Sequence, residues 1–196
     1  MQSHLDDDLL RSLRTSSDRI LFHGTRRQFE GFTEASIGTG AEANSALGIH
    51  LTDFPHLAAD YAEGASPEEG NYPQVLAVRT PVSKAFEERD NYTFFGYNDE
   101  GIPDGAMGKA GFSKWRTSLQ QSGFDAVDYE DGEGPIVVAL DPGKLKIIAR
   151  LTLTEAYVLS ERLSELEDEF NTAQRLDALL SLGGEPEVKR ARSPRP

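Results

Sequence analysis

Short apolar runs that break off at glycine, proline or a polar residue recur between residues 19 and 153, and they constrain the fold more than any other feature of this 196-residue chain. Ile20-Leu21-Phe22 stops at His23-Gly24-Thr25, and Gly48-Ile49-His50-Leu51 stops at Thr52-Asp53. Similar runs occupy 74–79, 124–129 and 135–140, and Leu145, Ile147, Ala149 and Leu151 alternate through 144–153. Such runs are buried strands that deliver functional groups at their ends. Helical signals between them are few. One covers 55–63, begun by Asp53 and Pro55; another covers 112–121 and carries the only tryptophan, Trp115, as core packing. Strands that follow strands, with few helices between, predict a mixed α+β domain and not alternating βαβ units.

The chain divides by character. Residues 1–18 hold a helix over 3–16, with Leu5, Leu9 and Leu13 on one face and Ser3 as cap. Residues 19–153 form the main domain. Within it 30–47, rich in Gly, Ala, Ser and Thr, reads as a mobile loop, 64–73 as another loop, and 83–110 gives no clear pattern. From Thr154 a four-and-three repeat of Leu159, Leu163, Leu166, Phe170, Ala173, Leu176 and Leu180 predicts an amphipathic helix over 154–184. Its seam through 155–181 suits docking to a partner or dimerisation. The tail 185–196, with Lys189, Arg190, Arg192 and Arg195 among prolines, reads as disordered.

Composition narrows the function classes. A net charge of −13 opposes broad binding to nucleic acid, whose affinity comes from lysine and arginine. It leaves room for a small anionic ligand held by a few local donors. With no cysteine there is no disulfide framework and no thiolate chemistry. No apolar run approaches the length of a membrane span, and the start, Met1-Gln2-Ser3-His4 then Asp6-Asp7-Asp8, inverts a signal peptide's plan. These features predict a cytoplasmic protein, or one translocated into a host cell.

In order and spacing, Phe22-His23-Gly24-Thr25, then Gly48-Ile49-His50-Leu51-Thr52-Asp53, then Ala58-Ala59-Asp60-Tyr61-Ala62 resembles the NAD-binding core of the ADP-ribosyltransferases, the superfamily of diphtheria-toxin-like and poly(ADP-ribose)-polymerase-like enzymes. The resemblance spans about residues 19–151. It implies a core of two small packed antiparallel sheets with a few helices, to which the C-terminal amphipathic helix is added. It implies that His23 bonds a ribose hydroxyl of NAD, that the backbone of Gly24 pairs with the carboxamide, and that Thr25 adds a hydroxyl. Glycine suits that role because backbone approaches a ligand only where no side chain intervenes. His50 stands where the family has a tyrosine, and Tyr61 where it has a second aromatic; the two would flank the nicotinamide. Read without the resemblance, His23 is equally a satisfied strand-end histidine, and Tyr61 a core aromatic.

Cleaving the nicotinamide bond builds positive charge on the ribose, which a carboxylate stabilises. Counting back from the Asp141-Pro142 turn, the family's position for that glutamate falls on Ile136. The nearest carboxylate is Glu133, with Glu130 and Asp131 close enough to replace it; the same acidic cluster also reads as a solvated turn. The implied activity is mono-ADP-ribosyl transfer from NAD to a macromolecular acceptor, with protein favoured over nucleic acid, and release of nicotinamide, as in a toxin or bacterial effector. The catalytic set is then Glu133, His23 and Tyr61. Two alternatives share the fold: a non-catalytic NAD- or ADP-ribose-binding module, and an RNA 2′-phosphotransferase-like enzyme, which the acidic charge opposes. Gly38-Thr39-Gly40-Ala41-Glu42-Ala43 fits a dinucleotide fingerprint only by accident, having no strand before it. His50, Asp53 and His56 lack metal-ligand spacing, so no metal site is expected.

Overall fold

The computed structural model describes residues 19–40, 42–63, 72–89, 94 and 107–166. The chain divides into a unit of residues 1–160 and a second of residues 161–196. In the second unit the described residues 161–166 are helical. The expected N-terminal helix and basic tail lie outside the described residues, as does most of the expected C-terminal helix.

The first unit is α+β. Its strands are β1 (Arg19–Thr25), β2 (Ile49–Thr52), β3 (Gln74–Thr80), β4 (Ala85–Glu87), β5 (Ala126–Glu130), β6 (Pro135–Ala139) and β7 (Lys146–Leu151). Helix α1 covers Pro55–Glu63, α2 covers Gly108–Gln121, and α3 begins at residue 153. Short 3-10 turns lie at Glu34–Ser36, Ala43–Ala46 and Pro142–Lys144.

The strands form one mixed seven-stranded sheet in the order β4-β5-β6-β2-β1-β3-β7. Only β4 and β5 run parallel among its pairs. This corrects the expectation of two small antiparallel sheets. The reason lies in the core. Leu21 of β1 and Leu76 and Val78 of β3 share one apolar cluster with Ile49 and Leu51 of β2, Val137 and Ala139 of β6 and Ala126 of β5. That cluster lies on one face of both halves, and the Phe22–Thr52 pair joins their strands in one sheet. The join is nevertheless narrow. β1 pairs with β3 from Arg19 to Thr25, and β2 with β6 from Ile49 to Thr52, but β1 and β2 meet only at Phe22 and Thr52.

Alternation along the strands divides the core in two. Ile136 and Val138 of β6 and Val127 and Tyr129 of β5 face Leu57 of α1 and Phe112 and Leu119 of α2. Val137, Ala139 and Ala126 face the opposite side, closed by Phe29, Phe32, Ile37, Leu145 and Ile147. Phe22, Leu21, Leu51 and Phe112 are fully buried, each stabilising the fold by about 1.5–3 kcal/mol. Trp115 packs against the helix-side core, as its sequence context suggests.

The segment 30–47 is pinned to α2. Lys109 Nζ donates to the carbonyls of Gly38 (3.2 Å) and Gly40 (2.8 Å). Arg116 grips both Glu34 carboxylate oxygens at 2.8 and 2.9 Å, and its Nη2 also reaches the Leu140 carbonyl at 2.6 Å. The residue types of a free loop are held here by two cations that lie 69–82 positions away in sequence.

Candidate functional site

The site begins where β1 and β2 part. Past Phe22, the edge of β1 that faces β2 has no strand partner among the described residues, and such an edge leaves main-chain donors and acceptors open. One side chain bridges the gap: His23 Nδ1 lies 2.8 Å from the His50 carbonyl oxygen. A carbonyl only accepts, so Nδ1 carries the proton and the neutral ring keeps its lone pair on Nε2. Desolvation drives the His23 pKa down to about 4, and the bond to the His50 carbonyl opposes that shift only in part. At neutral pH His23 is uncharged, in one tautomer, with an acceptor nitrogen remaining. Its ring meets Phe32 edge-on at 5.3 Å.

Gly24 follows, and its need for glycine is visible. A Cβ there would overlap the Ala58 carbonyl oxygen of α1. The missing side chain thus lets α1 lie against β1, a packing demand separate from any approach to a ligand. Thr25 Oγ1 accepts the Arg27 N–H at 3.2 Å and shapes the turn out of the strand. Gly48, just before β2, is equally constrained, because a Cβ at that position would overlap the Ala139 carbonyl oxygen.

His50 uses its ring for internal bonds. Nε2 lies 3.2 Å from the Asn44 carbonyl and must donate to it, so Nδ1 accepts from the Tyr129 hydroxyl at 3.2 Å. Desolvation lowers its pKa, against the pull of the Asn44 carbonyl and the Asp131 charge. His50 and Tyr129 meet edge-on at 6.1 Å, and Tyr129 stacks on Phe94 at 3.8 Å. The imidazole is thus held at both nitrogens in a part-buried polar pair with Tyr129.

Tyr61, on α1, is half exposed. Its hydroxyl donates to Asp131 Oδ2 in the β5–β6 turn. Loss of solvent and that carboxylate hold the phenol above the ordinary tyrosine range. Asp131 Oδ1 accepts the main-chain N–H groups of Glu133 at 2.9 Å and Gly134 at 3.0 Å. Both Asp131 oxygens are committed. Glu130 and Glu133 are exposed, and no hydrogen bond or ion pair engages the Glu133 carboxylate among the described residues. Ile136, where the family resembled would place a glutamate, is buried in the core.

The expected residues thus come from four separate stretches of sequence. Phe22-His23-Gly24-Thr25 and His50 meet at the strand split, and Tyr61 meets the acidic turn of residues 131–133. Asn44 and Tyr129, the two partners of His50, are not among the site residues that the sequence singles out. Tyr129 has a signal, since alternation in β5 places it with Val127 on the helix-covered face; Asn44 has none. Among the described residues no group of three or more His, Asp or Glu side chains is placed to hold a metal ion, and no helix is long and apolar enough to cross a membrane. Compared with protein-family models and with curated proteins, the chain matches none.

Proposed function

We propose that the chain is a mono-ADP-ribosyltransferase that cleaves NAD at the nicotinamide bond and passes ADP-ribose to a macromolecular acceptor. The observation that carries this reading is the state of His23. It is a neutral imidazole, fixed in one tautomer by the His50 carbonyl, beside a strand edge without a strand partner among the described residues. Its Nε2 lone pair suits a ribose hydroxyl, and the open edge of residues 23–25 suits an amide such as the carboxamide. Tyr61 offers an exposed aromatic surface to the nicotinamide.

Glu133 is the carboxylate for the positive charge that grows on the ribose as nicotinamide leaves, and for taking the acceptor's proton. Its neighbours support that choice, because Asp131 spends both oxygens on the turn and on Tyr61. The ribose C1′–N bond breaks with its electron pair leaving on nicotinamide, and the acceptor's lone pair forms the new bond to C1′. His23 and Tyr61 orient the substrate for that step. NAD is consumed, not regenerated.

A second reading, an NAD- or ADP-ribose-binding module without catalysis, is favoured by one observation: Ile136 holds the position that the family resembled gives to its glutamate. Nicotinamide release from NAD, with and without cell lysate as acceptor source, separates the two. Release by the wild type that collapses in Glu133→Gln supports the transferase. NAD bound but unchanged after prolonged incubation supports the module.

A further inference from the structure

Tyr61 is held at both ends. Arg26 Nε donates to the Ala62 carbonyl at 3.0 Å and Arg26 Nη2 to the Tyr61 carbonyl at 3.3 Å, so the C-terminus of α1 is fastened to the end of β1. The phenol end is fastened to Asp131. These two anchors sit on different halves of the sheet. α1 lies against β1 through Gly24 and Ala58, whereas the 131–134 turn joins β5 to β6, beyond β2. The halves share one strand pair, Phe22–Thr52, and the His23–His50 bond beside it, so the Tyr61–Asp131 bond is a further tie across the split. The same carboxylate closes the turn on which Glu133 stands.

We propose that Asp131 is a positioning residue: it fixes the Tyr61 ring and the Glu133-bearing turn relative to each other across the split between β1 and β2. What the two positioned groups do rests on the NAD reading; the tie itself does not. While the tie is made Asp131 already accepts three hydrogen bonds, two on Oδ1 and one on Oδ2. Its contribution to a reaction therefore runs through Tyr61, as the ring that meets the substrate, and through Glu133, as the free carboxylate. A carboxylate with two backbone donors and one phenol is a rigid junction, since rotating it to serve one partner abandons the others.

The test uses the full chain labelled with 3-fluorotyrosine, whose phenol titrates in an accessible range. The Tyr61 fluorine resonance is assigned by its loss in Tyr61→Phe and followed through pH in the wild type, Asp131→Ala and Asp131→Asn. Removing the carboxylate lowers the Tyr61 midpoint by about one pH unit or more. The Asn variant keeps a turn acceptor, so it reports the tie even if the Ala variant folds poorly. An unchanged Tyr61 midpoint in Asp131→Asn overturns the proposal.

Kinetics form the second arm. Tyr61→Phe and Asp131→Asn each raise KM for NAD by about tenfold with little change in kcat, and the double variant is no worse than either, as for one lost bond. Loss of kcat in Asp131→Asn as complete as in Glu133→Gln overturns the positioning role and makes Asp131 catalytic. The fluorine titration needs no NAD, so wild-type protein that releases no nicotinamide overturns the NAD reading and leaves the tie to be decided by its own measurement.

Discussion

His23 Nδ1 donates to the His50 carbonyl across 2.8 Å, continuing the contact between β1 and β2 past their Phe22–Thr52 backbone pair. A side chain takes the place of a strand ladder there, and it is a fixed, neutral imidazole. The proposed chemistry depends on that neutrality.

The stability of the protein should therefore carry a His23 signature. Its folded pKa of about 4 lies below the ordinary histidine value of 6.5. Above pH 6.5 neither state binds the proton and stability is full. Between 6.5 and 4 the unfolded chain binds a proton that the folded one refuses, so stability falls as pH falls. His50, lowered in the same direction, adds to the slope. Urea unfolding across this window should show His23→Gln with a shallower pH dependence than wild type, by about 1–3 kcal/mol over the range.

Gly24→Ala should destabilise the fold. The added methyl carbon meets backbone, the Ala58 carbonyl oxygen, and backbone cannot swing aside as a flexible side chain can. The expected cost is about 1–3 kcal/mol, read as a fall in the urea midpoint with unchanged slope. A wild-type midpoint would contradict the close packing of α1 on β1.

Arg116→Ala should loosen residues 34–40. The side chain is only 15% exposed, and its guanidinium holds both Glu34 oxygens and the Leu140 carbonyl. Its removal leaves that carbonyl short of a charged donor, at a cost of about 1–3 kcal/mol. Limited proteolysis should cut faster within this segment in the variant, and Lys109→Ala should act the same way through Gly38 and Gly40.

Ile136→Glu should not create a catalytic centre. The side chain is 3% exposed within the helix-side core, where an unpaired carboxylate costs at least about 3 kcal/mol. Thermal unfolding should show a strongly lowered midpoint with no gain in nicotinamide release. A stable, more active variant would place the catalytic carboxylate on β6 and not on the turn.

Local signals in the sequence are sufficient for much of this fold. Proline at its first position and the Leu57, Ala58 and Ala62 face make α1 legible to its ends at Pro55 and Glu63, and β1 takes in the Ile20-Leu21-Phe22 run together with the His23-Gly24-Thr25 that ends it. β4 is not legible, because Ala85, Phe86 and Glu87 form too short a run to alternate and gain their order from β5 alongside. α2 starts at Gly108, earlier than 112, since its first turn contains Gly108 and Gly111, which carry no helical signal. Sheet number is beyond reach: one residue pair, Phe22 with Thr52, decides between one sheet and two. At the site, residue types announce His23, His50 and Tyr61. The bonds that define their states come from the His50 backbone, Asn44, Tyr129 and Asp131, partners up to 79 positions away.

The most direct measurement follows both halves of NAD at once. Full-length protein is incubated with NAD labelled on its adenine, with lysate as acceptor, and released nicotinamide is compared with label in the acid-insoluble fraction. The proposed transferase raises both together in the wild type and loses about a hundredfold or more of each in Glu133→Gln. Nicotinamide that stays bound in intact NAD, with no label transferred under any acceptor condition, would contradict it.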